Sequence, residues 1–385
     1  MKSKLPTIEN IKNLKGKRVV LRLDFNVPIK NGKIVETMRI DRAMPTIKYL
    51  AKKKAKVIII SHIGKDETSS LKLVVRYLNK TMNVGFVPDF RAKETRAVVD
   101  GLKEGGVVLF ENLRIDPREE ANDPEFAKYL ASFGDIYVDD AFAATHRPHA
   151  SIVGIADYLP SYAGFLIADE IKHLSLALKP KHPFLFVLGG AKFETKMPLL
   201  KKFLEIADQI FIGGVLANDF FRDEELPVGK SSVDTYNANL LSLLKTGKII
   251  LPTDALVQKG DTKKTTGKLV GEVCPDDRIV DVGMGTIKSL EPIVKKAKLI
   301  LWNGPLGFYE GGFDKATAEL LKMIAGSKAV SIIGGGDTAV AVDKLGIEKK
   351  LTFVSTGGGA TLDFLVDGRL AGVDAIINCK KKLKA

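Results

Sequence analysis

Short apolar runs, rich in β-branched residues, recur along the chain between longer stretches of helical spacing. The first half carries Arg18–Leu23, Val57–Ile60, Val84–Val87, Val107–Phe110 and Ile136–Val138. The second half carries Phe184–Leu188, Gln209–Ile212, Lys248–Leu251, Lys298–Leu301, Ala329–Ile333 and Leu351–Val354. These runs are apolar throughout rather than alternating, the pattern of strands buried on both faces of a parallel sheet. Between them, Met38–Lys54 repeats apolar residues at Ile40, Ala43, Met44, Ile47, Leu50 and Ala51. Leu71–Leu78 and Pro198–Ala207 have the same period. Strand and helix in alternation predict an α/β fold of doubly wound parallel sheets.

Two sets of runs predict two sheets, and 385 residues suit two domains at roughly 150 residues each. The seam falls where Pro160 opens a helix-like run and Pro180 and Pro183 close it. The expected division is residues 1–158, a connecting helix and hinge over 159–183, and a second domain over 184–360. No low-complexity segment or internal repeat interrupts the pattern.

Composition narrows the class. The chain has 45% hydrophobic and 27% charged residues, which excludes wholly disordered and collagen-like chains. No apolar run approaches the ~18 residues of a membrane span, and the first residues lack the apolar core of a signal peptide. Cys274 and Cys379 give no disulfide framework. The expected location is a reducing cytoplasm. Net charge is +13. The excess lies mainly in the first half and in the tail lysines Lys380, Lys381, Lys382 and Lys384. A solvated lysine surface accounts for such charge as well as an anionic ligand does.

In open parallel sheets ligands bind beyond the carboxyl ends of the strands. In the first half those ends deliver Asp24, Phe25 and Asn26; His62, Ile63, Gly64 and Lys65; Arg114; and His146 and Arg147. Arg39 opens the next helical run. Arginine holds phosphate and carboxylate in a fixed fork, so this set predicts a basic pocket for a small anion carrying both groups. Any one of these residues alone reads equally well as a surface salt bridge or a capped turn. Zinc is disfavoured, because no Cys or Glu stands near the histidines at ligand spacing. Nucleic-acid binding is disfavoured because Phe25, Phe110 and Phe142 sit in apolar contexts.

Strand ends in the second half are rich in glycine. They deliver Gly189-Gly190-Ala191-Lys192 with Lys196 a turn later, Gly213-Gly214, Gly283-Met284-Gly285 and Asn303-Gly304-Pro305 with Glu310 beyond. Gly334-Gly335-Gly336-Asp337-Thr338 and Gly357-Gly358-Gly359 follow. One such loop is an ordinary tight turn. Six predict backbone approaching a nucleotide, with phosphates at helix N-termini. Asp337 suits Mg²⁺, which takes few protein carboxylates plus phosphate oxygens. The P-loop pattern fails at Gly229-Lys230-Ser231, because Glu224 stands where its first glycine belongs. The dinucleotide pattern after Gly283 fails at Lys288.

Taken together, LRLDFNVP, the Arg39 helix, SHIG, LENLR, THRPHAS, GGAK with Lys196, WNGPLG, GGGDT and STGGGA resemble the phosphoglycerate kinase family, in order and spacing, through nearly the whole chain. The resemblance implies two domains facing each other across a cleft, with residues 361–385 returning to the N-terminal one. It implies 3-phosphoglycerate or 1,3-bisphosphoglycerate on the first domain and ADP or ATP with Mg²⁺ on the second. By motif, Asp24, Phe25, Asn26, Arg39, His62, Ile63, Gly64, Lys65, Arg114 and Arg147 would bind the triose. Gly190, Lys192, Lys196, Gly214, Gly283, Asn303, Pro305, Glu310, Gly335, Gly336, Asp337 and Thr338 would bind the nucleotide. Among these Glu310 would take the ribose and Asp337 the metal, with Arg39 and Lys192 as catalytic cations. A cytoplasmic monomer with no nucleic-acid or membrane partner is also implied, as are acyl-phosphate transfer to ADP and domain closure.

Three departures stand out. The family usually reads SHxGRP where this chain has SHIGKDE, so Lys65 replaces a forked cation with a point charge. IGGVLAND stands in place of GG-x-MAYTF, and DVGMGT in place of DIGP-x-T. Two rival readings stay open from sequence: a kinase for another acyl phosphate, and a nucleic-acid binder using the basic face and tail.

Overall fold

The computed structural model describes residues 5–64, 69–234, 240–260, 262 and 264–379. Lys65 and the C-terminal lysines lie outside the described residues. The chain forms two compact units, one ending at Lys172 and resuming at Arg369, the other His173–Gly368.

The first unit is built on a six-stranded sheet. Its order is Gly85–Val87, Val107–Phe110, Lys56–Ile60, Arg18–Arg22, Ile136–Asp139 and Ser161–Ala163, and every pairing is parallel. Successive side chains of a strand point to opposite faces. Val19, Leu21, Val57 and Ile59 therefore join the core on one face. Val20, Ile58, Ile60 and Tyr137 join the core on the other. That double burial explains why the runs are apolar without alternation.

The second unit's parallel sheet has the order Ile249–Ile250, Gln209–Ile212, Phe184–Leu188, Leu299–Asn303, Val330–Gly334 and Phe353–Val354. In chain order this is 3-2-1-4-5-6, whose switch point lies between Phe184–Leu188 and Leu299–Asn303. Leu185, Val187, Ile300 and Trp302 pack on one face. Phe184 and Phe186 meet Phe203 on the other, at centroid distances of 5.7 and 4.8 Å.

Three features depart from the sequence expectation. Ser161–Ala163, expected inside the connecting helix, is instead the edge strand paired with Ile136–Asp139. The helix begins at Phe165 because Gly164 N–H donates to Asp139 O at 2.8 Å, and the buried Asp140 takes Ile167 N–H at 3.1 Å. The second difference is that Asp277–Val282, which leads into Gly283, lies outside the parallel sheet. It pairs antiparallel with Asp254–Lys259, which also pairs with Thr265–Leu269. The third concerns the C-terminus. Helix Gly359–Asp367 stays with the second unit, where Lys202 Nζ donates to Val366 O at 3.1 Å. Helix Ala371–Asn378 belongs to the first, where Gly372 N–H donates to Thr145 O at 2.8 Å. No helix among the described residues is long and apolar enough to cross a membrane.

Candidate functional site

Each unit carries a cluster at the carboxyl ends of its strands. In the first unit, Asp24 follows strand Arg18–Arg22 and is buried. Arg39, the second residue of helix Met38–Lys52, donates Nη1 to Asp24 Oδ2 at 2.7 Å and to Asn26 O at 3.2 Å. Asn26 Oδ1 accepts from Gly64 N at 3.0 Å. Gly64 O in turn accepts from Arg114 Nη1 at 2.6 Å. Asp24, Asn26, Arg39, Gly64 and Arg114 thus form one connected set, drawn from three strand ends and a helix. Phe25 is fully buried, with its N–H on Ser61 Oγ at 3.0 Å. Ile63 N–H is held by Asn112 Oδ1 at 3.1 Å.

His62 is not a cation here. It is 3% exposed, and burial pushes its pKa far below the ordinary value. The charges of Arg22, Arg114, Arg147 and Arg39 add to that shift. Arg22 Nη2 lies 3.0 Å from His62 Nδ1. A guanidinium only donates, so Nδ1 must accept and Nε2 must carry the proton. His62 is therefore a neutral N–H donor among four arginines. Arg147 is exposed, which leaves its charge available to a ligand.

Sequence reasoning missed the support beneath this cluster. Arg22 is 1% exposed. Its Nε donates to Ser151 Oγ at 2.9 Å, and its Nη1 to Leu23 O. Ser151 donates Oγ–H and N–H to the buried Glu119 at 2.5 and 2.9 Å. Asn112 is fully buried and bridges the chain by accepting from Ile63 N and donating Nδ2 to Ile63 O at 2.8 Å. An arginine inside the apolar run RVVLRL was the one available signal; Glu119 has no comparable signal.

The second unit has a cavity of about 490 Å³ whose lining includes Gly190, Gly214, Pro305, Glu310 and Asp337. Several helices begin beside it. Lys192 caps helix Phe193–Ile206, Gly214 caps Val215–Asp223 and Gly335 caps Gly336–Lys344. Free N–H groups at such ends favour anions. Gly214 has φ +64°, and a Cβ there would meet Gly190 N at 2.8 Å, so no other residue fits that loop. Gly190 N–H donates to Pro305 O at 2.9 Å, tying together the two loops at the switch point.

Lys196 Nζ is bonded to the buried Asn303 Oδ1. Burial lowers its pKa to about 8, against the opposing charge of Asp337. Thr338 is buried with no hydrogen-bond partner for Oγ1 among the described residues, while Gly336 and Asp337 are exposed in the same helical turn. Gly283 is not part of the cavity wall. It packs on Asp254, whose carboxylate takes Gly285 N at 2.9 Å and Thr286 N at 2.7 Å. Much of the rest of the cavity is apolar, with Phe221, Val233, Pro252, Ala255 and Ile279. Those residues follow no glycine motif and come partly from the antiparallel strands, so spacing did not reveal them.

Among the described residues no group of three or more His, Cys, Asp or Glu could hold a metal alone. Asp337 is an exposed carboxylate beside a lysine and a helix N-terminus. One carboxylate with room for phosphate oxygens and waters is a donor set that fits Mg²⁺.

An arginine-rich cluster on one α/β unit and a helix-ended cavity on the other are the features of a two-unit α/β phosphotransferase. The phosphoglycerate kinase family model matches residues 8–368. Phosphoglycerate kinase of Pseudothermotoga lettingae is 42% identical over 97% of this chain and 99% of that protein. The phosphoglycerate kinase of Wolbachia sp. subsp. Brugia malayi is 41% identical over 97% and 98%. The structure of phosphoglycerate kinase from Coxiella burnetii superposes with a TM-score of 0.85 at 36% identity, covering 97% of this chain and 99% of that one. That from Pyrococcus horikoshii gives 0.85 at 31%, covering 97% and 98%. The chain belongs to the phosphoglycerate kinase family.

Proposed function

We propose that the protein reversibly transfers the acyl phosphate of 1,3-bisphosphoglycerate to ADP, giving 3-phosphoglycerate and ATP. The pairing, on one chain of this family, of an arginine-ringed cluster with a cavity walled by helix N-termini carries the reading. In this proposal Asp24, Asn26, His62, Arg114 and Arg147 hold the triose. His62 gives a neutral hydrogen bond where another cation would crowd the arginines. Gly190, Gly214 and Pro305 shape the nucleotide cavity, Glu310 takes the ribose, and Lys196, Gly335, Gly336 and Thr338 meet the phosphates.

Both possible nucleophiles, a carboxylate and a nucleotide phosphate, are ionised at pH 7, so no general base is needed. The task is to align the groups and to stabilise charge on the moving phosphoryl. Arg39 and Lys192 are the cations assigned to it. Lys196, charged below about pH 8, adds a desolvated cation at the nucleotide end. Mg²⁺, held by Asp337 and the phosphates, would neutralise their charge. Transfer requires the two ligands to meet in line, and motion of one unit against the other is part of this proposal. Its setting is a cytoplasmic monomer acting on small molecules.

The test is ATP-dependent phosphorylation of 3-phosphoglycerate with Mg²⁺, coupled to NADH oxidation by glyceraldehyde-3-phosphate dehydrogenase. Turnover that disappears in Lys192→Ala is the expected result. Folded protein inactive with both ATP and GTP refutes the assignment.

A further inference from the structure

One polar side chain on the cavity wall of the second unit has incomplete bonding. Asn218 is the fourth residue of helix Val215–Asp223, lines the cavity and is 2% exposed. Its Nδ2 donates to Ser232 O at 3.0 Å. A carbonyl only accepts, so this bond fixes which end of the amide is nitrogen. Oδ1 is left with no hydrogen-bond partner among the described residues. The wall around it includes Phe221, Val233, Ala255 and Ile279, which offer side chains with nothing to donate. A buried acceptor without a donor is unfavourable, and the exceptions call for a specific cause.

Strand order indicates which part of a ligand reaches it. Asn218 lies beyond strand Gln209–Ile212, and Asp337 lies beyond strand Val330–Gly334. Phe184–Leu188 and Leu299–Asn303 run between them. Three strand spacings separate the two loops by ~14 Å, about the span of an extended purine nucleotide from base to terminal phosphate. With phosphates at the N-terminus of Gly336–Lys344, the base falls at Asn218.

We propose that Asn218 is a specificity-determining residue, its Oδ1 accepting a hydrogen bond from the exocyclic 6-amino group of an adenine base in this cavity. The inference rests on the nucleotide reading above. It concerns a position where the sequence departs from the family pattern. Arg278, which also lines the cavity and sits 4.9 Å over the Phe308 ring, is a cation and cannot take that role. Asp234 Oδ2 is engaged by Phe193 N at 3.3 Å. A 6-oxopurine turns an acceptor toward Oδ1 and is disfavoured.

Calorimetric titration of the full-length protein with ADP and with IDP, which differ at the 6-position, tests this. ADP is expected to bind at least ~10-fold more tightly, since one hydrogen bond distinguishes them. In Asn218→Leu, close in shape but without the acceptor, the ratio is expected to fall to within about twofold. Asn218→Ser, which withdraws the acceptor by shortening the side chain, serves if the leucine variant does not fold. Equal affinity of the wild type for ADP and IDP, or an unchanged ratio in the variants, overturns the assignment and leaves the nucleotide site standing. Binding of neither ligand overturns the nucleotide reading, and this inference with it.

Discussion

Replacing Arg22 with Met measures what the buried base of the first cluster contributes. Arg22 is 1% exposed, with bonds to Ser151 Oγ, Leu23 O and His62 Nδ1. Through Ser151 it faces Glu119, itself 1% exposed. Burial raises the Glu119 pKa, and among its neighbours the Arg22 charge opposes that most strongly. Methionine nearly fills the volume, so the loss is mainly electrostatic. Removing one partner of a buried charge pair typically destabilises by about 3–5 kcal/mol, because the other charge is left uncompensated. The same change in a Glu119→Gln background should cost at least ~1.5 kcal/mol less, a coupling that a double-mutant cycle isolates.

The pH dependence has a definite sign. Without Arg22, the folded pKa of Glu119 rises further above its ordinary value of 4.5. A group raised in the folded state contributes stability below its unfolded pKa and loses it as pH rises through the folded one. The deficit of Arg22→Met should therefore be smallest near pH 4.5 and grow toward pH 7. Hydrogen exchange at Val19–Leu21 and Ile136–Val138 under graded denaturant reads the opening free energy of this unit alone. A deficit under ~1 kcal/mol, or one indifferent to Glu119→Gln, would refute the reasoning.

Two further outcomes follow from the same geometry. Arg39→Ala removes the Nη1 donor that joins Asp24 to Asn26 O. It should lower kcat in the coupled assay by at least ~10²-fold, about 2.7 kcal/mol, and near wild-type turnover would exclude the role assigned to Arg39. Asp140 is fully buried, and its pKa is pushed up to about 7. Asp140→Asn can keep the Oδ1 contact to Ile167 N, so the variant should be more stable than wild type by a few kcal/mol at pH 8. That advantage should grow between about pH 4 and pH 7 and stay flat above. An advantage independent of pH, measured by denaturant unfolding, would show that the pKa of Asp140 is not raised in the folded protein.

The sequence alone determined the two parallel sheets and which residues follow most of their strands. A strand buried on both faces must be apolar throughout, and a ligand at its end needs residues next to it in the chain. Asp24, Asn26, His62, Arg114, Lys196 and Asp337 were therefore legible one by one as candidates. The tertiary structure decided whatever depends on partners distant in sequence. Burial beside Arg22 makes His62 a neutral donor rather than a cation. Ser151, 129 residues from Arg22, links it to Glu119. The apolar wall of the cavity draws on antiparallel strands with no motif of their own. Asp140, by taking Ile167 N–H, helps set where the connecting helix begins, which helical periodicity read too early. Periodicity reports the environment of one segment, whereas protonation state, ion pairing and cavity walls arise only when segments meet.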